Sequence, residues 1–84
     1  MRYYPIGTFV TLKNGTHPVM IYGRKQMQEG TGHVWDYVAC LYPEGYISDD
    51  YNIFFQQEEI DKVHRTGMYG FEETRMQQIL NSMD

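Results

Sequence analysis

The residue types in this chain that could do chemistry are one cysteine, three histidines and eleven carboxylates. Cys40 sits in the stretch YVACLYPEGY, Tyr37 to Tyr46, between aromatics and shortly before the carboxylate of Glu44. A cysteine nucleophile needs an adjacent base and a lowered pKa. His17, His33 and His64 stand singly, at no recognisable catalytic spacing to Cys40. Free cysteine is among the most buried residue types, so Cys40 is expected to be a core residue on a strand that Pro43 and Gly45 turn around. The same scatter gives no zinc site, since no Cys or second His stands at ligand spacing. Asp49 and Asp50 look like a fragment of a calcium loop, but the regular oxygen ligands and terminal bidentate Glu are missing. Glu58, Glu59 and Asp61 would serve acid/base work only if one were desolvated. Around Ile60 they read more simply as an exposed charged turn, with a small hydrolase using Glu58 or Glu59 as the enzymatic alternative. Gly30 and Gly32 precede no Lys-Ser or Lys-Thr pair, so they make no phosphate loop. No catalytic residue, cofactor or metal is expected, and the chain does not read as an enzyme.

The elements that would position these residues are mostly strands. Ile6 to Lys13 alternates, with Ile6, Thr8, Val10 and Leu12 on one face and Phe9 and Thr11 on the other. Asn14-Gly15 follows, the strongest short hairpin signal, so Val19 to Tyr22 should return antiparallel and run on through Met27. His33 to Tyr42 is rich in β-branched and aromatic residues and apolar on both faces, the pattern of a central strand or of one crossing a barrel wall. Ile53 to Gln57 reads as a fourth strand, Glu58 to Asp61 as a single helical turn, and Lys62 to Thr66 as an edge strand closed by Gly67. From Phe71 to Met83 the period changes: Met76, Ile79, Leu80 and Met83 recur at helical spacing, and Glu72 and Glu73 lie in the first turn, where the helix dipole favours acids. The expected architecture is mainly β plus a C-terminal α-helix. It is a small, strongly bent antiparallel sheet or open barrel of about five strands, of the Src-homology-three kind. Residues 1–70 would form the barrel and residues 71–84 a helical extension of the same domain.

Size and charge restrict the function classes. Eighty-four residues make one small domain, stabilised by eight Tyr, four Phe and one Trp, whose rings each bury roughly 150 to 250 Å². With one cysteine there is no internal disulfide. No apolar run reaches signal-peptide or membrane-spanning length, so a cytoplasmic protein is expected, with no membrane partner. Residues 1–42 carry a net charge of +2 and residues 43–84 a net −6, together −4. No basic stripe exists for phosphate neutralisation, which argues against nucleic acid.

What rises above an anonymous fold is adhesive surface. A domain this small cannot bury all its rings, so some of Tyr3, Tyr4, Tyr42, Tyr46, Tyr51 and Tyr69 must lie outside, and tyrosine is favoured at interfaces. The expected contact residues are Tyr42, Tyr46, Tyr51 and Phe54, with Met76, Ile79, Leu80 and Met83 of the helix. A helix of about 13 residues is marginal alone in water and must dock on its own barrel or on a neighbour. A homodimer through it is therefore also expected, and deletion of 75–84 should leave the barrel folded.

A resemblance adds to this. Pro5-Ile6-Gly7, Leu12-Lys13-Asn14-Gly15, Met20-Ile21 with Gly23-Arg24, Asp36-Tyr37-Val38 with Cys40, and Tyr42-Pro43-Glu44-Gly45 together resemble a domain-of-unknown-function family of short Firmicutes proteins. Phe54-Phe55, Ile60-Asp61 and Val63 match as well. Its members are commonly encoded beside LXG polymorphic toxins of the type VII secretion system. The resemblance covers about residues 5 to 67 and leaves out the terminal helix. It implies a non-enzymatic accessory, a chaperone or adaptor that binds the LXG region of a toxin before export, and it supplies no catalytic residues. Because the second half is acidic, an immunity protein that plugs a toxin domain by charge complementarity is the rival.

Overall fold

The computed structural model describes residues 1–83; Asp84, the last residue of the expected helical extension, lies outside the described residues. Five strands form, β1 (Phe9–Leu12), β2 (Val19–Met27), β3 (Val34–Leu41), β4 (Ile53–Phe55) and β5 (Ile60–Arg65), followed by the helix α1 (Phe71–Ser82). They make one open antiparallel sheet in the order β4-β3-β2-β1-β5. That order forces the sheet to bend. In a flat sheet β4 and β5 would stand about 19 Å apart, at about 4.8 Å per strand. Only Gln56 and the 3₁₀ turn Gln57–Glu59 join them, and such a turn rises about 2 Å per residue. The bend is taken up in the long strand β2, where the pairing with β3 shifts register between Ile21 and Gly23 and Lys25 has a φ of 51°. Gly23 is small because its neighbour demands it: a Cβ there would lie 2.7 Å from a methyl of buried Val38.

Several expected boundaries move: Gln56 and Gln57 fall outside β4, and Ile60 and Asp61, expected in the helical turn, open β5. Ile6 is not on the first strand but exposed in a turn formed by Pro5 to Thr8, in which Gly7 has a φ of 89° and the Thr8 N–H donates to the Pro5 carbonyl at 3.2 Å. Proline cannot donate to a ladder, so the strand starts after it. Buried Thr8 then serves as a junction: its hydroxyl donates to the Pro5 carbonyl at 2.8 Å and accepts the Gly67 N–H at 2.9 Å. The segment after β5 crosses here so closely that a Cβ on Gly67 would lie 2.0 Å from the Ile6 carbonyl oxygen.

The inner face of the sheet carries the core, Val10, Val19, Ile21, Tyr37, Ala39 and Phe55, closed by Tyr3 and Leu80. Tyr37 stacks on Phe55 at 5.3 Å and meets Tyr3 edge-on at 6.0 Å. Its hydroxyl donates to Gln57 Oε1 and accepts the Tyr4 N–H at 2.9 Å. Burial pushes its pKa well above the ordinary tyrosine value.

The helix docks on its own chain, and largely through polar groups. Gln77 brackets the Tyr3 backbone, accepting its N–H at 2.9 Å and donating to its carbonyl at 2.6 Å. The terminal ammonium donates to Asn81 Oδ1 at 2.9 Å, and buried Arg24 pairs with Glu73 at 2.5 Å while also donating to the Tyr4 carbonyl. Of the expected apolar stripe only Leu80 is buried; Ile79 and Met83 remain about half exposed and Met76 is exposed by about a third. Residues 75–84 carry Gln77, Leu80 and Asn81, so their removal would uncover the core at Leu80 and free the Tyr3 backbone, which bears against the expectation that the barrel folds without them.

Leu80→Ala should cost about 2–5 kcal/mol, as for other buried leucines. Gly67→Ala should be comparably damaging because its contact is with backbone. Gly15→Ala, whose nearest non-neighbour would be 3.7 Å away, should shift stability by only about 1 kcal/mol or less. Urea unfolding of the three variants decides this.

Glu73 supplies a pH signature. Burial alone would raise its pKa, but the hydrogen bonds from Arg24 and Gln77 and the Arg24 charge hold it below the ordinary 4.5. A depressed carboxylate stabilises the fold above its unfolded pKa, and that contribution fades as pH falls through the folded value. Glu73→Gln should thus be less stable than the native chain at neutral pH, by about 3 kcal/mol as for other broken buried pairs, with the gap narrowing as pH falls below about 4.5. Melting curves at neutral and acid pH would show a constant gap if the pair is not what holds the helix.

Candidate functional site: a ring-lined outer face

The outer face of the same sheet is apolar as well. Pairing places Phe9 beside Met20, Met20 beside Cys40, and Val38 beside Phe54 on this side, with Tyr22 among them at the wall of a cleft it shares with Val38 and Phe54. Residues 42–52 fold back as a strap. Gly45, at a φ of 79°, lets its N–H return to the Leu41 carbonyl at 2.7 Å. From that turn the Tyr42 ring meets Phe9 edge-on at 4.9 Å and the Tyr46 ring meets Tyr22 at 6.1 Å. The far end is tied by the Tyr22 hydroxyl, which donates to Asn52 Oδ1, and by the Tyr46 hydroxyl, which donates to Asp49 at 2.6 Å. Donation to Asp49 raises the Tyr46 pKa; burial first, and the Asp49 carboxylate second, raise that of Tyr22.

Tyr42, Tyr46 and Tyr51 nevertheless stay about half exposed, at 48 %, 58 % and 54 %. Beside them opens a cleft of about 470 Å³ between β2, β3, β4 and the strap, walled by Tyr22, Phe54 and Met27 with Glu29, Asp49 and Asp50 at its rim. Tyr42 itself lines a second hollow, of about 320 Å³, with Phe9, Pro18, His64 and Arg65. An aromatic ridge with hollows beside it is a surface that can receive protruding side chains.

The eight expected contact residues divide. Tyr42, Tyr46 and Phe54 come together on the outer face, with Tyr51 on the strap's 3₁₀ turn, Asp49–Tyr51. Met76 and Ile79 lie on α1, which closes the inner face, and Met83 at its C-cap, so they belong to a separate surface. Leu80 is 1 % exposed and belongs to the core; it is withdrawn as a contact residue. Phe9 and Tyr22 were missed. The alternation that puts Val10 inside puts Phe9 outside, and this was the signal that could have found it.

The groups that could have done chemistry are engaged structurally. Cys40 is buried, 4 % exposed, on the interior strand β3. His64 bonds Thr11 at 2.5 Å, His17 approaches Thr16 at 3.3 Å, and His33 packs on Trp35 at 4.4 Å and reaches Gln56 at 3.2 Å. Glu58 and Glu59 are exposed, without the desolvation acid/base work would need, and Glu59 accepts the Gln56 N–H in a capping box. Asp36 accepts the Gln57 N–H at 2.8 Å, fixing the β4–β5 corner to β3. Among the described residues no group of His, Cys, Asp and Glu could hold a metal ion, and no helix is long and apolar enough to cross a membrane.

The family model described as domain of unknown function DUF4176 matches residues 3–76. The chain belongs to this family. The match extends beyond the boundary at residue 67 expected from the motifs, taking in Tyr3 at one end and the first half of α1 at the other, so the matched span of this chain holds both partners of the Arg24–Glu73 pair. No curated protein and no solved structure matches the chain.

If Cys40 is the core residue this DUF4176 structure makes it, a disulfide-exchange thiol reagent should label it at least about 100-fold more slowly in the native protein than in denaturant. Equal rates would show an accessible thiol.

Proposed function

We propose that this DUF4176 chain is a non-enzymatic protein-binding accessory, a chaperone or adaptor that holds the LXG region of a toxin before type VII export. Its compartment would be the cytoplasm of a Firmicutes cell. The observation that supports the reading is the outer face, where half-exposed Tyr42, Tyr46 and Tyr51 stand on the strap and the Tyr46 ring packs on Tyr22, which walls a cleft. Such rings give a partner large apolar area at small entropic cost and offer a hydroxyl to its polar groups. The toxin context comes from the sequence resemblance described above. The partner pictured is a helix of the LXG region laid across the strap, with its side chains in the hollows beside Tyr42 and Tyr46. Immunity is the second reading, favoured by the net charge of −6 over residues 43–84, which suits a plug for a basic active site.

Co-expression with the two halves of a neighbouring LXG toxin tests both. The LXG half should co-purify with the native chain, and Tyr42→Ser with Tyr46→Ser should weaken capture about tenfold or more in a variant that still unfolds cooperatively, its melting point lowered by the loss of the two ring contacts. Ile79→Ser with Met83→Ser, on the other surface, should leave capture unchanged. Capture of the C-terminal toxin half alone would make this an immunity protein, and indifference to the tyrosine pair would remove the outer face from the account.

A further inference from the structure

The cleft beside the tyrosine ridge has a charge pattern as well as a shape. Its floor is apolar at Val38, 3 % exposed, with Phe54 and Tyr22 half-buried around it, while Gln26, Gln28 and Asn52 add uncharged polar groups to the lining. Its rim is acidic, with Glu29 from the turn after β2 and Asp49 and Asp50 from the strap all exposed, and no lysine or arginine is among the described residues that line it. Asp49 is held in position there by the Tyr46 hydroxyl at 2.6 Å. Carboxylates of one sign around a low-dielectric floor focus a negative potential into the hollow. A bare cation could use the rim but not the floor. An apolar or acidic segment could enter the floor only by facing carboxylates that it leaves unpaired or repels. The chemistry that satisfies both is an apolar side chain flanked by lysine or arginine, whose aliphatic stems cover apolar surface while their charged ends reach outward. Met27, 66 % exposed on the cleft wall, adds a flexible side chain that adapts to the shape of whatever enters.

We infer that this cleft docks a basic amphipathic helix of a partner protein. An apolar residue of the helix seats on Val38 and Phe54, and lysines or arginines one helical turn to either side pair with Glu29, Asp49 and Asp50. The inference rests on the protein-binding role proposed above and specifies the chemistry of what binds.

The probe is a synthetic helical peptide of about 18 residues built from leucine and lysine, with a counterpart in which glutamate replaces lysine. Amide chemical-shift mapping should place the lysine peptide at Val38, Asn52 and Phe54. Its affinity should fall about tenfold as salt rises from low to several times physiological strength. Glu29→Gln, Asp49→Asn and Asp50→Asn combined keep side-chain size and leave an amide oxygen to accept from the Tyr46 hydroxyl. The triple variant should bind the lysine peptide about fivefold or more weakly at low salt with the melting curve unchanged. The glutamate peptide should leave the cleft resonances in place. Shifts centred on Ile79 and Met83, equal binding of both peptides, or an affinity untouched by the triple substitution would each overturn the inference. Its failure is separable from that of the toxin role. LXG capture that depends on Tyr42 and Tyr46 but not on the three carboxylates sinks the basic helix alone. A lysine peptide seated in the cleft of a protein that captures no LXG region sinks the toxin role alone.

Discussion

A phenol hydroxyl carried out of water must find its hydrogen-bond partners inside the protein, and Tyr37 takes them from segments far apart in the chain. The Tyr4 backbone comes from the N-terminal segment and the Gln57 side chain from the corner between β4 and β5, both reaching one atom on β3. The ring packs on Phe55 of the next strand and on Tyr3, which α1 in turn grips through Gln77. Sheet curvature, the position of the corner and the docking of both chain ends are thus one coupled solution. A strand-only domain of this order would still bend, but nothing would fix the N-terminal segment across the mouth of the bend.

The strand pattern was legible because the chain states it locally. Asn14-Gly15, the double-sided apolar run ending at Pro43, and the period change after Gly70 each fall near an observed element boundary. Ile6 was misplaced because alternation continues through Pro5 to Thr8 in the sequence while the proline and a left-handed Gly7 turn the backbone. The helix was found but its buried face was not. An apolar-periodicity argument selects Met76, Ile79, Leu80 and Met83, whereas the docked face runs through Glu73, Gln77 and Asn81 as well as Leu80. Polar side chains that pair with a backbone or with a buried arginine look, in a sequence, the same as solvated ones. Tyr3 was obscured for the same reason, since nothing in the first few residues marks a terminus that is tied down.

The candidate surface was half legible. Tyrosines around Pro43-Glu44-Gly45 announce a ring-rich turn, but whether they cover the sheet or hang from it depends on contacts with Phe9 and Tyr22, far away in sequence. The strap leaves them in an intermediate state: anchored at one edge by ring contacts and, for Tyr46, by a hydroxyl bond to Asp49, open at the other. Anchored rings have lost much of their rotamer freedom before any partner arrives, so the entropy of ordering them does not oppose docking a second time.

The sheet's edges argue for the same face. An open sheet has two, and a partner adding as a strand would need one of them. β4 offers only Ile53–Phe55 before the chain turns into a 3₁₀ helix, too short a row of backbone groups for extended pairing. β5 is longer but exposes Asp61, Lys62, His64 and Arg65 and has register shifts along its pairing with β1, the charged and irregular edge that resists strand addition. With both edges guarded and the inner face filled by Tyr3 and Leu80, the ring-lined outer surface is the part of the sheet open to side-chain contacts. A helix laid across it makes such contacts without asking the sheet for a backbone hydrogen bond.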